Sequence, residues 1–590
     1  MEDDNTTNVE LNTYSEPPTI ITEDENGNTH AEIPTVEIKK LNLPYRKGFS
    51  NAGETLTPVE LKVSGELPSW LSGELYTVGP GTYDIKYTRM IESEGGFESA
   101  TETFSMGHWF DGLPLVNRFE FDGKDGKIKY RSRITSRKYE IKIRDHHGIV
   151  TRHPFTLFKT HANQTPLAKL FGQKRTDKPE MEPCSVNIST KFPFYKSGEK
   201  PKVFCQNHAS QVVELDAHDL APSRVYSWND INPLFRGDHA SPHPHYDDNT
   251  GELINFNMEV YALGTKYNFF SITEKNPNGE FIASISAKAS YVHSFAVTQR
   301  FIILVVFPFH GKNAGINFKW SDNILDSLTY RPEESTLFYV ISRAEKQHVA
   351  TYRSEPCFAF HHINAFEDDD DNLYLDIVCY DNTEICYDLS LENLRTGLVV
   401  ELPLAEVRRY VLQNIQVESI KFSKIPQATQ LETLQNTVVG LFKNVQPVTY
   451  PLPVANYVRC LDSTLELPRI NPKFHGQKYR YVYGIGLSAK AATQDGQIWD
   501  SLIKCDLDTK EVIAMWSEED CYPSEPVFVP VPGNDDDEDD GVLLSVIFEG
   551  QKVKSYLVVL DAKTLLEKAR VDLPQVIPLS FGHGSFRQNI

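Results

Sequence analysis

Short apolar runs alternating with Asp-, Asn- and Gly-centred turns, from about residue 41 to the end of the 590-residue chain, constrain the fold more than any other feature. Clear examples are Lys202–Gln206, Gly251–Tyr261, Arg300–Phe307 (RFIILVVF), Ser335–Ser342 (STLFYVIS), Asn372–Tyr380 (NLYLDIVCY), Tyr479–Leu487 (YRYVYGIGL), Gly541–Gly550 and Lys554–Leu565. Their β-branched and aromatic residues suit a pleated surface, and the flanking turn residues bound them as strands. LVVLDAKTL and IKCDLDTKEVIAMW each read as strand, Asp-centred turn, strand. Amphipathic helical stretches are few, with candidates over 326–332 and 404–416 (LAEVRRYVLQNIQ). A chain of this kind must bury strands against strands, as a very large sandwich or a β-propeller. Dividing the ordered length by seven gives about 79 residues per blade, room for four strands and an elaborated loop. The expected class is all-β, a propeller.

Residues 1–40 are rich in Thr, Asn, Asp, Glu and Pro and poor in large apolar side chains, so a disordered acidic tail is expected there, with one domain over 41–590. The chain has 81 acidic and 59 basic side chains, a formal charge of −22, which repels phosphate backbones and argues against nucleic-acid binding. The N-terminus lacks a basic and then apolar leader, and the longest apolar run, Phe301–Phe309, is far short of the roughly 20 residues of a spanning helix. None of the eight cysteines forms a CxxC pair. A reduced, cytoplasmic protein with free thiols is expected. The acidic runs Glu367–Asp371 and Asn534–Asp540 lack EF-hand spacing and read as solvated turns.

Among 18 histidines, four stand beside strand-like runs: His243 in SPHPHYD, His293 in SYVHSFAVT, His361 in FAFHHINAFED and His583 in SFGHGSF. Their separations of 50, 68 and 222 residues fit no local motif. A lone histidine at a strand end is ordinarily a hydrogen-bonded core residue. A propeller changes the argument, because its inner strands bring distant segments to one axis, where imidazoles can converge on one ion. Neutral nitrogen donors suit Fe, Zn, Cu or Ni.

These segments, with GELYTVGPG, HWFDGLPLVNRFEF, KYRSR, NILDSL, LELPRIN and YPSEPVFVPVPG in the same order, resemble the carotenoid cleavage oxygenase family, which includes retinoid isomerohydrolases and stilbene-cleaving oxygenases. The resemblance runs from about Leu41 to the C-terminus and implies a seven-bladed propeller with a helical and loop dome over a ferrous ion. By family pattern the ligands are His243, His293, His361 and His583, with His245 and His362 as neighbours. The family supports three of its histidines with glutamates. Glu466 in LELPRIN is expected on His361 and Glu525 in YPSEP on His583. The third position, expected on His293, falls in VFCQNHASQVVELDAHDL at Asn207 or His208, with Asn207 taken as the candidate; neither is acidic.

The resemblance implies an iron(II)-dependent dioxygenase that cleaves a conjugated double bond of a carotenoid or apocarotenoid with O2, leaning to a fungal enzyme of the torulene- or β-carotene-cleaving sort. Alternatives are a stilbene- or lignin-fragment-cleaving oxygenase, disfavoured because no lysine lies between Phe204 and His218, a retinoid isomerohydrolase, and a non-enzymatic scaffold. The insoluble substrate implies uptake from a membrane or lipid droplet, with Val260–Ile272 and Phe307–Leu328 as candidate docking stretches. The 33 Phe and 27 Tyr fit an apolar tunnel.

Overall fold

In the computed structural model, residues 20–23, 29–32 and 43–588 are described, apart from 94–95, 150–176, 194–199, 249, 262–263, 320–323, 397–402, 425–450, 495 and 535–536. Most of the expected tail over 1–40 lies outside the described residues; within it, Ile20–Glu23 pairs antiparallel with Thr29–Glu32. Met1–Asn42 forms a unit of its own, and Leu43–Ile590 a second.

The larger unit is a seven-bladed β-propeller. Seven antiparallel sheets follow one another along the chain, built mostly by pairing of strands close in sequence. From the axis outward, blade 2 is Asn187–Ser189, Lys202–Gln206, Gln211–Asp216 and Pro222–Ser227. Blade 3 opens on a broken inner strand, His239–Ala240 and His245–Asp247; blades 4, 5 and 6 open on Ala296–Val297, His362–Glu367 and Glu466–Arg469. Blade 7 again has a broken inner strand, Cys521–Pro523 and Val527–Pro530.

The ring is closed by both ends of the domain. The C-terminal strand Ser585–Gln588 pairs with Ser72–Thr82 as the innermost strand of blade 1, and Val63–Gly65 pairs with Glu567–Asp572 as the outermost strand of blade 7. Closure of this kind leaves no exposed hydrogen-bonding edge at the seam.

Blades pack face to face. Leu75, Phe119 and Tyr130 of blade 1 share one core with Val542, Leu544 and Val559 of blade 7. A second core joins blades 1 and 2 through Val78, Val116, Val203 and Val213. A strand between two other blades is buried on both faces and so reads as a continuous apolar run rather than an alternating one. Phe301–Val306 is such a strand, with Ile302 to Val306 buried.

The candidate helices differ. The stretch 404–416 contains the strand Glu406–Leu412, paired along its length with Leu373–Cys379, and a helix begins only at Ile415. Cross-strand pairing outweighs the helical spacing there, with Arg409 held by Asp376 on the partner strand at 2.8 Å. The stretch 326–332 holds a short helical turn and the strand Leu328–Tyr330. The acidic runs do more than sit in water: Asp368 caps its own turn by accepting from Asn372 N, and Glu538 accepts from the backbone of Arg480 and Tyr481. All eight cysteines are free and buried. Among the described residues no helix is long and apolar enough to cross a membrane.

The proposed docking stretches are corrected in part. Val260–Ile272 is mostly a hairpin of blade 3 in which Tyr267, Phe269, Phe270 and Ile272 are buried, because both faces of this blade are covered. In Phe307–Leu328, Phe307, Phe309, Ile324 and Leu328 are buried and Ile316 is exposed, while 320–323 lie outside the described residues.

Candidate metal centre

The four sequence-selected histidines meet at the axis, each placed at the entry to an inner strand. His243 fills the break in the inner strand of blade 3, His293 precedes that of blade 4, His361 immediately precedes that of blade 5, and His583 precedes the closing strand of blade 1. Backbone contacts fix them. Ser241 Oγ donates to His293 O at 2.9 Å and accepts from His243 N at 3.1 Å, tying blades 3 and 4. Val378 N donates to His361 O. His583 N donates to Val186 O at 2.7 Å and its O accepts from Ile188 N at 3.1 Å, seating it against blade 2. Gly582 lets the chain pass closely there, since a Cβ would stand 2.0 Å from Val78 O of blade 1 and 2.8 Å from Ser185 O.

The ring nitrogens face one another. His243 Nε2 lies 2.9 Å from His293 Nε2, and His361 Nε2 lies 3.2 Å from His583 Nε2. Candidate ligand atoms of His243, His361 and His583 all fall within 4.8 Å of one another. His293, His361 and His583 are buried and His243 is partly so. Burial pushes His243, His293 and His583 down from the usual imidazole range, and the neighbouring imidazoles push His243 and His293 further.

Two of the rings carry glutamates on the opposite nitrogen. His361 Nδ1 lies 2.8 Å from Glu466 Oε2, and His583 Nδ1 contacts Glu525 Oε1. Burial alone would raise both carboxyls. The contacts outweigh it: His361 and Tyr380 hold Glu466 below the usual range, and Arg469 and His583 hold Glu525 at about 2. Tyr380 Oη donates to Glu466 Oε1 at 2.6 Å.

The third partner is His208, which corrects the choice of Asn207. His208 Nε2 lies 2.9 Å from His293 Nδ1, with Tyr291 Oη at 3.3 Å from the same nitrogen. Asn207 turns away, its amide donating to Pro183 O at 3.1 Å and its oxygen accepting from Ala209 N at 2.8 Å. The residue is spent on its own turn, an ordinary use of an asparagine side chain. Neighbours of the doublets have other bonds: His245 Nε2 contacts Phe295 O at 2.7 Å, and His362 Nδ1 contacts Ser294 Oγ at 2.7 Å.

Two environments adjoin the cluster. Phe360 lies 5.7 Å from His293, ring centre to ring centre, and packs on Phe110, which packs on Phe581 at 4.5 Å. None of these three lines the axial cavity of about 600 Å³, which is bounded by inner-strand residues of all seven blades and reaches His243, His361 and His583. That cavity has mixed walls, with His245, His362, His475 and Arg469 beside Phe295, Phe528 and Phe586.

The sequence model of the retinal pigment epithelial membrane protein (RPE65) family matches residues 48–588. The chain belongs to this family. It is 27% identical to a carotenoid dioxygenase of Neurospora crassa, over 92% of this chain and 90% of that one. It is 29% identical to the human β,β-carotene 15,15′-dioxygenase, over 91% and 93%. The cobalt-substituted apocarotenoid oxygenase of Synechocystis shares its fold, with a TM-score of 0.68 over 92% of this chain and 98% of that one at 19% identity. Of the site residues of this family member, sequence reading did not find Tyr380, Arg469 or the aromatic trio. They carry no spacing signal, and each acts across a blade boundary.

Proposed function

We propose that His243, His293, His361 and His583 hold one ferrous ion, and that the protein cleaves a conjugated double bond of a carotenoid or apocarotenoid with O2 to give two carbonyl products. The observation that carries the metal site is the pair of Nε2 atoms of His361 and His583, 3.2 Å apart. In each ring Nδ1 faces a carboxylate, which only accepts, so Nδ1 carries a proton and Nε2 is the nitrogen left to offer a lone pair to an ion. Two buried lone pairs facing each other repel unless a cation lies between them. Nitrogens on adjacent positions of one ion, with metal–nitrogen bonds of about 2.0–2.1 Å, stand about 3 Å apart. The observed 2.9 and 3.2 Å separations fit that value.

A ferrous ion held there supplies the activation of dioxygen. The chain supplies position and dryness. Glu466, Glu525 and His208 fix tautomer and ring angle so that Nε2 of His361, His583 and His293 points inward. Phe110, Phe360 and Phe581 offer an apolar surface against which a polyene can lie, and they keep bulk water from that side. A polyene has few polar handles, so the bond presented is set by shape. The names of the carotenoid dioxygenases among its relatives support this substrate class. The remaining parts of the reading are a cytoplasmic location and, resting on the insolubility of the polyene, uptake of substrate from a membrane or lipid droplet.

The test is to reconstitute the metal-free protein with Fe(II), supply β-carotene or torulene in detergent micelles, and follow oxygen uptake with mass analysis of the aldehydes. Uptake with matched aldehyde pairs supports the proposal. Conversion of a retinyl ester without oxygen uptake would replace it with an isomerohydrolase, and cleavage of stilbenes alone would replace the substrate class.

A further inference from the structure

The inner strand of blade 6 carries two residues that face the site, Glu466 and Arg469, three positions apart. On a regular strand an odd separation puts side chains on opposite faces. Here the strand is bulged: Glu466 pairs with Ile485 and Arg469 with Tyr483, three steps on one side against two on the other. The extra residue is Leu467, held at φ 47° in the left-handed region, which a leucine occupies only at a cost in backbone strain. Across this irregular stretch Glu466 contacts His361 of blade 5 and Arg469 contacts Glu525 of blade 7, the opposite neighbours that their odd spacing alone would give.

Arg469 makes three contacts there. Its Nε and one terminal nitrogen grip both oxygens of Glu525 at 2.8 and 2.9 Å, and that terminal nitrogen also donates to Gly584 O at 2.7 Å. Glu525 in turn contacts His583 Nδ1 and accepts from Gly584 N at 2.9 Å. One guanidinium therefore binds blade 6, the broken inner strand of blade 7 and the root of the strand that closes blade 1. We propose that Arg469 is a positioning residue that latches the ring-closing C-terminal strand to the metal centre, so that closure of the propeller and presentation of His583 are one event. The inference rests on the metal-centre reading above.

The fork geometry is essential, since lysine offers a point charge and cannot hold both carboxylate oxygens and a carbonyl in one plane. Arg469 also lines the axial cavity, so shortening its side chain leaves a space that small solutes can enter.

The experiment uses metal-free full-length protein titrated with Co(II) against a chromophoric chelator, following the visible cobalt bands. Amide exchange over 582–588 is measured with and without metal. In the wild type, cobalt should slow exchange in that segment. Arg469→Ala and Arg469→Gln should each weaken cobalt binding by about 10–100-fold, the usual loss for an outer partner, and should uncouple exchange from metal. Arg469→Lys should not restore either. Millimolar guanidinium should recover part of the affinity of Arg469→Ala and none in Arg469→Ala combined with Glu525→Gln. Wild-type affinity and bands in both the Ala and Gln variants would overturn the latch while leaving the metal centre standing. Absence of cobalt binding in the wild type would overturn the metal centre and the latch with it. Loss of affinity that follows only a fall in unfolding temperature, without guanidinium rescue, would reduce Arg469 to a structural residue and overturn the proposal.

Discussion

Replacing His208 tests how a ring is held without a carboxylate. For His293 to present Nε2 toward His243, its Nδ1 must carry the proton and donate to His208 Nε2 at 2.9 Å. His208→Phe keeps the bulk and removes the acceptor. The buried N–H is then left with Tyr291 Oη at 3.3 Å, a poorer partner. Leaving a buried donor unsatisfied costs about 1–3 kcal/mol, and each 1.4 kcal/mol is a decade in affinity. Metal binding should therefore weaken by about 10–100-fold, in line with outer-partner losses elsewhere. His208→Glu supplies an acceptor with a charge that the metal compensates, and it should bind metal at least as well as the wild type. Asn207→Glu has a different consequence. It sets a carboxylate beside Pro183 O, where the amide now donates at 3.1 Å, so two acceptors face each other. That should lower folding stability by about 1–3 kcal/mol without a specific change in metal affinity. The assays are cobalt competition titration and urea unfolding on all three variants. Unchanged affinity in His208→Phe, or loss of metal in His208→Glu with retention in Asn207→Glu, would refute the assignment of His208.

Three further outcomes follow from the same geometry. His361→Ala should lose bound metal while His362→Ala, whose ring bonds Ser294 instead, keeps most of it; equal loss by metal analysis would sink the distinction. Glu466→Gln should cut metal affinity by about 10–100-fold, and wild-type affinity in a chelator series would show that the carboxylate does not orient His361. Acid should destabilise the metal-free protein through His108 and His348, which burial holds at about 4. Both are depressed below the unfolded value of about 6.5, so the unfolded chain binds more protons between these limits. Stability is then present above pH 6.5 and falls by about 3 kcal/mol per histidine as pH drops to 4. A urea midpoint that is flat from pH 7 to 4 would refute this, and His108→Gln should reduce the slope.

The strand content was legible because strands buried on both faces must be apolar along their length, as Phe301–Val306 and Gly541–Glu549 are. The same rule hid Val260–Ile272, whose aromatic residues read as a lipid-facing patch but fill the space beside a neighbouring blade. The strand Glu406–Leu412 was hidden differently: the stretch 404–416 has amphipathic helical spacing, but Arg408 pairs with Asp381 and Arg409 with Asp376 on the neighbouring strand and its turn. Sequence periodicity reports how often a side chain returns to one face. It does not report what stands opposite that face, and for an arginine the opposite group decides between surface and interior.

The spacing of the histidines makes the same point about the site. Residues 243, 293 and 361 are separated by one blade each, so their intervals of 50 and 68 residues measure the repeat of the fold. The interval of 222 residues to His583 looks unrelated, because the chain passes through blades 6 and 7 and then returns to blade 1. The two blades it passes give no imidazole to the cluster. They give Glu466 and Glu525, each directed at a histidine of the blade beside it, and blade 2 gives His208 from the turn after Lys202–Gln206. Each blade thus places at the axis either an imidazole of the cluster or a partner that orients one. The partners need to reach only Nδ1 on the far side of a ring, so their type can vary from carboxylate to imidazole while the inward nitrogens stay in place. That tolerance explains why a neutral residue can stand behind His293 without the loss of an inward-facing nitrogen.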